Sequence, residues 1–177
     1  MPLVSGFVSP SDRELTLQEV QDLMGEAEAR GLVRRAKKTK PVDARPARPG
    51  EVVVTVIAGE GKETRSRPAE PGDWVVRNRC PETGNEEYLV SAAKFEERYA
   101  PIGKPPGAGG WREVRPRGKV MRFFCVTPEQ GRFKFVAPWG ETMVAVPGDA
   151  IVQDPEDPGD IYRVAAAAFA CTYDVIE

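Results

Sequence analysis

Apolar residues recur along this chain in two different rhythms. Leu17, Val20, Leu23, Met24 and Ala27 fall on one face of a helix. Thr16 and Glu19 form a capping box ahead of it, and Gly31 follows, so the spacing predicts a helix from Leu17 to about Arg30. Its apolar face is expected to dock on the rest of the chain. Beyond it the apolar runs are short and β-branched. Glu51 to Ile57 predicts a strand, Gly59-Glu60-Gly61 a turn, and Pro71-Gly72 a type II turn into the strand Trp74–Arg77. After a loop from Pro81 to Asn85, Glu87–Val90 predicts a partner strand, and Ser91 caps a short helix. Lys119–Val126 is expected to match the strand at Val52. Arg132–Ala137 and Glu141–Val146, separated by Pro138-Trp139-Gly140, predict a hairpin, and Lys62–Pro68 a shorter version of it.

The second half of the pattern repeats the first. Pro71-Gly72-Asp73-Trp74-Val75-Val76 returns as Pro147-Gly148-Asp149-Ala150-Ile151-Val152. Tyr88, Val90, Phe95 and Tyr99 return as Tyr162, Val164, Phe169 and Tyr173. A repeat of this kind governs architecture. The expected fold is α+β and β-rich: two tandem related β-sheet or barrel-like units, each ending in a short helix, plus the N-terminal helix. The boundaries read as 1–49 for the helix and a basic, Pro-rich connector, 50–102 for the first unit, 103–118 for a Gly/Pro-rich linker and 119–177 for the second unit. The first short helix carries Lys94, Glu96, Glu97 and Arg98 and is expected to face water. The second carries Ala168, Ala170, Cys171 and Thr172, with Ala165 in place of a polar cap. It is expected to be covered by the first unit, by the N-terminal helix or by another chain.

Composition narrows the function classes. The chain has 177 residues, 29% of them charged, and a net charge of −2, so no global field draws it to nucleic acid or membrane. No apolar run is long enough to span a bilayer. Met1 to Pro10 lacks the pattern of a signal peptide. The three cysteines, Cys80, Cys125 and Cys171, show no clustered spacing, which argues against a disulfide framework or a zinc site. The expectation is a soluble, cytoplasmic protein in a reducing compartment.

The Pro-Gly-Asp-Trp-Val-Val strand, followed by Glu87-Tyr88-Leu89-Val90-Ser91-Ala92-Ala93-Lys94-Phe95-Glu96-Glu97-Arg98-Tyr99, resembles the PGDYG-type small domain. It is also similar to short bacterial and phage-encoded proteins that begin with a basic Lys-Lys-Pro-Val segment, here the interrupted Lys37-Lys38-Thr39-Lys40-Pro41-Val42. The resemblance covers about 37–102 well and 119–177 more loosely, departing at Ala150, Ala170 and Cys171. It implies a β-rich fold and a phage or host-defence setting, and it carries over no catalytic residue.

The chain has no histidine, so imidazole bases and Ser-His or Cys-His nucleophiles are excluded. No phosphate loop, dinucleotide fingerprint or metal-spaced ligand set occurs. The protein therefore reads as a non-enzyme without cofactor or metal. Asp73 and Asp149 are expected to close turns on local backbone, and Glu82 and Glu156 to meet solvent. Cys80, although near Arg77 and Arg79, lacks a resolving thiol and reads as incidental. Three binding readings remain. An unidentified protein partner would meet a surface built from Lys94, Glu97, Arg98, Arg77, Arg79 and Trp139. Nucleic acid would meet a basic arm of Arg34, Arg35, Lys37, Lys38 and Lys40, aided by Arg45, Arg48 and the linker residues Trp111, Arg112, Arg115 and Arg117. A small ligand or nucleotide would occupy a pocket at the junction of the units, and a flat, filled junction would sink that reading. The assembly is expected to be a monomer with internal pseudo-symmetry or a homodimer.

Overall fold

In the computed structural model, which describes residues 13–57, 62–103 and 105–176, the N-terminal helix forms where its pattern placed it. The helix α1 (Leu17–Ala29) starts at a reciprocal cap: Thr16 Oγ1 accepts from the Glu19 N–H at 3.1 Å, and Glu19 Oε1 from the Thr16 N–H at 2.9 Å. It ends against Gly31, whose φ of 71° suits a residue without a Cβ. The expectations for Met1–Pro10 and for the turn at Gly59-Glu60-Gly61 lie outside the described residues.

Around α1 the chain is mostly strand. In order these are β1 (Arg13–Glu14), β2 (Arg34–Lys38), β3 (Val42–Pro46), β4 (Val54–Ile57), β5 (Lys62–Arg65), β6 (Trp74–Arg77) and β7 (Glu87–Val90). After the helix α2 (Ala92–Arg98) come β8 (Tyr99–Pro101), β9 (Arg112–Pro116), β10 (Val120–Cys125), β11 (Phe133–Val136), β12 (Thr142–Ala145), β13 (Ala150–Asp154) and β14 (Asp157–Val164). The helix α3 (Ala166–Thr172) and β15 (Tyr173–Val175) close the described chain.

Two five-stranded sheets dominate, one ordered β7-β6-β3-β9-β8 and the other β14-β13-β10-β2-β15. Their registers correspond residue by residue. Val76 pairs with Ala44 on one side and Tyr88 on the other, and Val152 likewise pairs with Phe123 and Tyr162. Val114 lies between Val42 and Pro101, as Ala36 lies between Met121 and Val175. Both sheets are open among the described residues, so the barrel-like closure read from the sequence is not seen.

The pairings place strands in segments where none was expected. The strand that matches β10 is β3, not the run at Val52, which instead forms the hairpin β4–β5. Residues 31–49, expected as an extended connector, hold both β2 and β3. The reason lies in alternation: Val42 and Ala44 point inward between Asp43 and Arg45, a period of two that the flanking prolines obscured. The segment 103–118 is not an unpacked linker either. It holds β9, with Val114 buried between Glu113 and Arg115.

The first sheet is thus built from residues 42–116, whereas the second takes β2 from ahead of it and the rest from after it. The chain crosses between the bodies at 39–41 and again at 117–119, and each crossing joins a strand of one sheet to the central strand of the other. The outer face of the second sheet packs against Val20, Met24 and Ala27 of α1, with Phe124, Phe133, Phe135, Ile151 and Ile161 completing that core. The expected hairpin forms as β11–β12, with β1 parallel to β11 at its edge. The outer face of the first sheet is covered more thinly, by Ala47, Val53, Ala69 and the half-buried Trp111.

A second correction concerns the cysteines. Cys80 and Cys171 form a disulfide that joins the loop after β6 to α3. Ninety-one residues separate them in the chain, so no local spacing announced the pair. Cys125 is free and exposed.

Candidate functional site

A cleft of about 590 Å³ lies where the two sheets meet, lined by their inner faces and, past the edge strands β7 and β14, by the β4–β5 and β11–β12 hairpins. All four tyrosines of the chain converge on it, Tyr88 and Tyr162 at corresponding register positions of the two sheets and Tyr99 and Tyr173 likewise. The Tyr88 and Tyr99 hydroxyls lie 3.0 Å apart, and those of Tyr162 and Tyr173 lie 3.3 Å apart. Burial, reinforced by Tyr99, pushes the Tyr88 hydroxyl well above the ordinary phenol range, and burial with Tyr162 does the same to Tyr173. These phenols therefore stay protonated and can donate as well as accept.

Two cations reach across the junction to these pairs. Lys38, on β2 of the second sheet, contacts the Tyr88 hydroxyl of the first sheet and donates to Tyr99 Oη and Asn78 Oδ1, each at 3.1 Å. Arg98, on α2 of the first body, lies 3.5 Å from the Tyr162 hydroxyl of the second. Asn78 is held in place by Glu86, which accepts from its amide nitrogen at 2.7 Å. The apolar wall includes Leu89, Val90, Met121, Met143, Val164 and Ala168. Trp139, in the turn between β11 and β12, stands beside Tyr162 with ring centroids 5.5 Å apart, and its indole N–H is fixed to Glu141 Oε1 at 3.0 Å.

Ion pairs close one side of the cleft. Asp160 accepts from Lys94 at 2.9 Å and from Arg98 at 2.5 Å, while Asp154 takes Lys119 at 2.8 Å and Arg98 at 3.6 Å. Burial would raise the Asp154 carboxyl, but the bond from Lys119, the Glu156 N–H and the charges of Lys119 and Arg98 together outweigh it and hold the acid below its ordinary range.

These contacts redistribute the candidate residues read from the sequence. Lys94, Arg98 and Trp139 line the cleft, whereas Glu97, Arg77 and Arg79 do not. Glu97 pairs with Lys119 at 3.2 Å. Arg77 sits over the Trp111 ring at 4.1 Å, and Arg79 bridges Asp43 and Glu113 at 2.8 and 2.9 Å. The charged helix α2 therefore does not simply face water; two of its cations serve the junction. The basic arm is a strand rather than a free tail. Arg34, Arg35 and Lys40 are exposed, Lys37 is half-buried over Gly118, and Lys38 turns into the cleft.

Asp73 and Asp149 do close their turns, accepting from the Glu70 N–H at 2.9 Å and the Val146 N–H at 3.0 Å. Each also accepts from the first residue of the following helix, Ala92 at 3.3 Å and Ala166 at 3.1 Å, so the repeated aspartate ties turn to helix. They do not meet as a carboxylate pair; Asp73 is matched by Arg67 and Asp149 by Arg163. Glu156 is solvent-exposed and reaches Lys119 at 3.0 Å. Glu82 is exposed beside the disulfide, 3.5 Å from Cys171 Sγ and 3.6 Å from Cys80 Sγ. The two sulfurs bond each other here and offer no thiolate to an ion. Cys80 is thus a structural partner of Cys171, not an incidental thiol.

No protein-family model matches the chain, and no curated protein or solved structure is significantly similar to it. Among the described residues no helix is long and apolar enough to cross a membrane.

Sequence reasoning singled out the junction but not Lys38 as part of it, nor Tyr88, Tyr162, Asn78 or Glu141. Tyr88 and Tyr162, like Tyr99 and Tyr173, stand out in the sequence only as matching positions. Their hydroxyls are the available signal, since a buried tyrosine needs a polar partner at its tip.

Proposed function

We propose that this protein binds a small organic molecule in the cleft between its two sheets, without covalent chemistry. The observation that carries the reading is the cleft itself. About 590 Å³ lies within the range of small-molecule sites, and both bodies contribute walls, as a fused pair with one composite site would. Apolar side chains line most of it, while tyrosine hydroxyls, one amide and two cations converge on its interior.

The protein-partner reading has less support from the geometry. Of its six surface residues, Lys94, Arg98, Arg77, Arg79 and Glu97 all hold internal partners. The nucleic-acid reading loses Lys38 to the cleft, although Arg34, Arg35 and Lys40 stay on the surface. The matching sheet order and registers support reading the two bodies as diverged copies of one small domain, of the PGDYG type that the first copy resembles.

A screen of neutral and charged fragments by ligand-observed NMR, on the full chain, tests the function. Hits should compete for a single site and weaken in Trp139→Ala, with circular dichroism verifying the fold. Hits that neither compete nor respond to Trp139→Ala overturn it.

A further inference from the structure

Lys38 is the most unusual charge in the molecule. Among the described residues no carboxylate lies within ion-pair distance of it. Among those residues its ammonium bonds only neutral oxygens, those of Tyr88, Tyr99 and Asn78. Glu86 reaches it only through Asn78, whose amide it orients so that the oxygen faces the ammonium. A half-buried cation held by neutral acceptors gains most from an anion brought to it.

The second cation is also incompletely matched. Arg98 Nε is buried and hydrogen-bonds to nothing among the described residues. Its one close carboxylate, Asp160, is shared with Lys94, and the more distant Asp154 with Lys119. An unsatisfied buried guanidinium N–H carries a penalty that a ligand acceptor would remove.

The opposite character appears at Trp139. Its ring lies outside the core clusters and is half-buried at the cleft, oriented by the bond to Glu141. The Glu141 carboxylate is itself buried and, among the described residues, accepts only from Trp139 and Thr64, neither of them charged. A carboxylate has lone pairs left after two such bonds, and they suit a ring N–H. A heterocycle laid on Trp139 could supply one. Tyr162 connects the two ends, with its ring beside Trp139 and its hydroxyl beside Arg98. One tyrosine side chain therefore spans the gap between the aromatic and the cationic part of the cleft.

Resting on the cleft-binding reading, we infer that the ligand is a planar heterocyclic anion of nucleotide type. Its acid group sits against Lys38 and Arg98, and its ring lies on Trp139 with an N–H toward Glu141. The same chemistry occurs in a ring acid without a sugar, so both forms belong in the test.

Calorimetric titration of the full chain with the four ribonucleoside 5′-monophosphates, their nucleosides and orotate, at low and moderate salt, decides it. At least one monophosphate, or orotate, should bind about tenfold or more tighter than the matched neutral compound, with the margin shrinking as salt rises. Lys38→Met should bring the anion down to the level of its neutral counterpart, Lys38→Arg should restore most of the margin, and Trp139→Ala should weaken both. Arg98→Gln gives an independent reading should Lys38→Met fail to fold. A preference for monophosphate over orotate assigns a nucleotide, and the reverse assigns a sugar-free ring acid. Equal binding of charged and neutral forms, or an anion margin untouched in both Lys38→Met and Arg98→Gln, overturns the inference. Should no anion bind while neutral fragments still occupy the cleft, the ligand class is wrong and the cleft reading stands; should neither bind, both fall.

Discussion

The two sheets share one plan and fill it with opposite chemistry. In the first body the ring stacked on the helix phenylalanine comes from the strand after Pro-Gly-Asp: Trp74 lies 4.2 Å from Phe95, their planes 10° apart. In the second that strand position is Ala150, and the ring comes from the neighbouring central strand as Phe123, 4.6 Å from Phe169. The position equivalent to Phe123 in the first body is Ala44. One large and one small residue have exchanged strands, so each core keeps an aromatic against its helix.

The helices differ in the same complementary way. Each leans on the other body, α2 through Lys94 and Arg98 onto Asp160 of β14 and α3 through Cys171 onto Cys80 in the loop after β6. One junction contact is ionic, the other covalent and apolar. A junction held from both sides leaves the space between the contacts open, and that space is the cleft.

Several substitutions break or sharpen this comparison. The largest effect belongs to Phe123→Ala, which removes a ring 3% exposed and should destabilise the protein by about 3–5 kcal/mol in chemical denaturation. Trp74→Ala should lose less, because Trp74 is only half-buried. Equal losses would show that the two cores are not filled in the way the exchange of large and small residues implies.

Reduction of the disulfide comes next. Closing a loop across 91 residues should stabilise by about 2–4 kcal/mol, so reductant should lower the denaturation midpoint of the parent and leave Cys171→Ser unmoved. Thiol counting on the unfolded, unreduced chain should find Cys125 alone. The ionic contact should be weaker: Asp160→Asn, which leaves Lys94 only Glu97 and Arg98 only the more distant Asp154 among the described carboxylates, should cost about 2 kcal/mol and make stability less sensitive to salt.

A smaller difference separates the turn aspartates. The Ser91 side chain caps α2, whereas Ala165 offers none to α3. Asp149→Asn should therefore destabilise about 1 kcal/mol more than Asp73→Asn. The smallest effect is acid-dependent and confined to the first body. Glu51 is held down to about 2 by its bond from Arg45, and the residue equivalent to Arg45 in the second body is the buried Phe124. A carboxyl with a depressed folded pKa stabilises above its ordinary value near 4.5, and that stability is lost as pH falls toward 2. Glu51→Gln should thus lower stability by about 1 kcal/mol at neutral pH and by nothing near pH 2, giving a flatter acid limb in pH-dependent unfolding.

Much of the local structure was legible in the chain. Thr16, Glu19 and Gly31 placed α1, the Pro-Gly-Asp turns located β6 and β13, and Pro138-Trp139-Gly140 marked the β11–β12 hairpin. Those signals act within a few residues, through caps, turns and period-two alternation, so the sequence by itself determined them. The matching of the two halves of the sequence also paired Tyr88 with Tyr162 and Tyr99 with Tyr173, and these occupy corresponding places in the two sheets.

Only the tertiary structure decided which strands share a sheet. Arg34–Lys38 and Arg112–Pro116 have one buried side chain each, Ala36 and Val114, too little pattern to announce a strand. Their stability as strands comes from pairing on both edges with segments distant in the chain. The same non-local pairing brings Cys80 to Cys171 and carries Lys38 from the second sheet to the tyrosines of the first. Periodicity reports whether a residue faces inward, but not what it faces. The cleft is made of such facings, so it exists only once the two sheets are assembled.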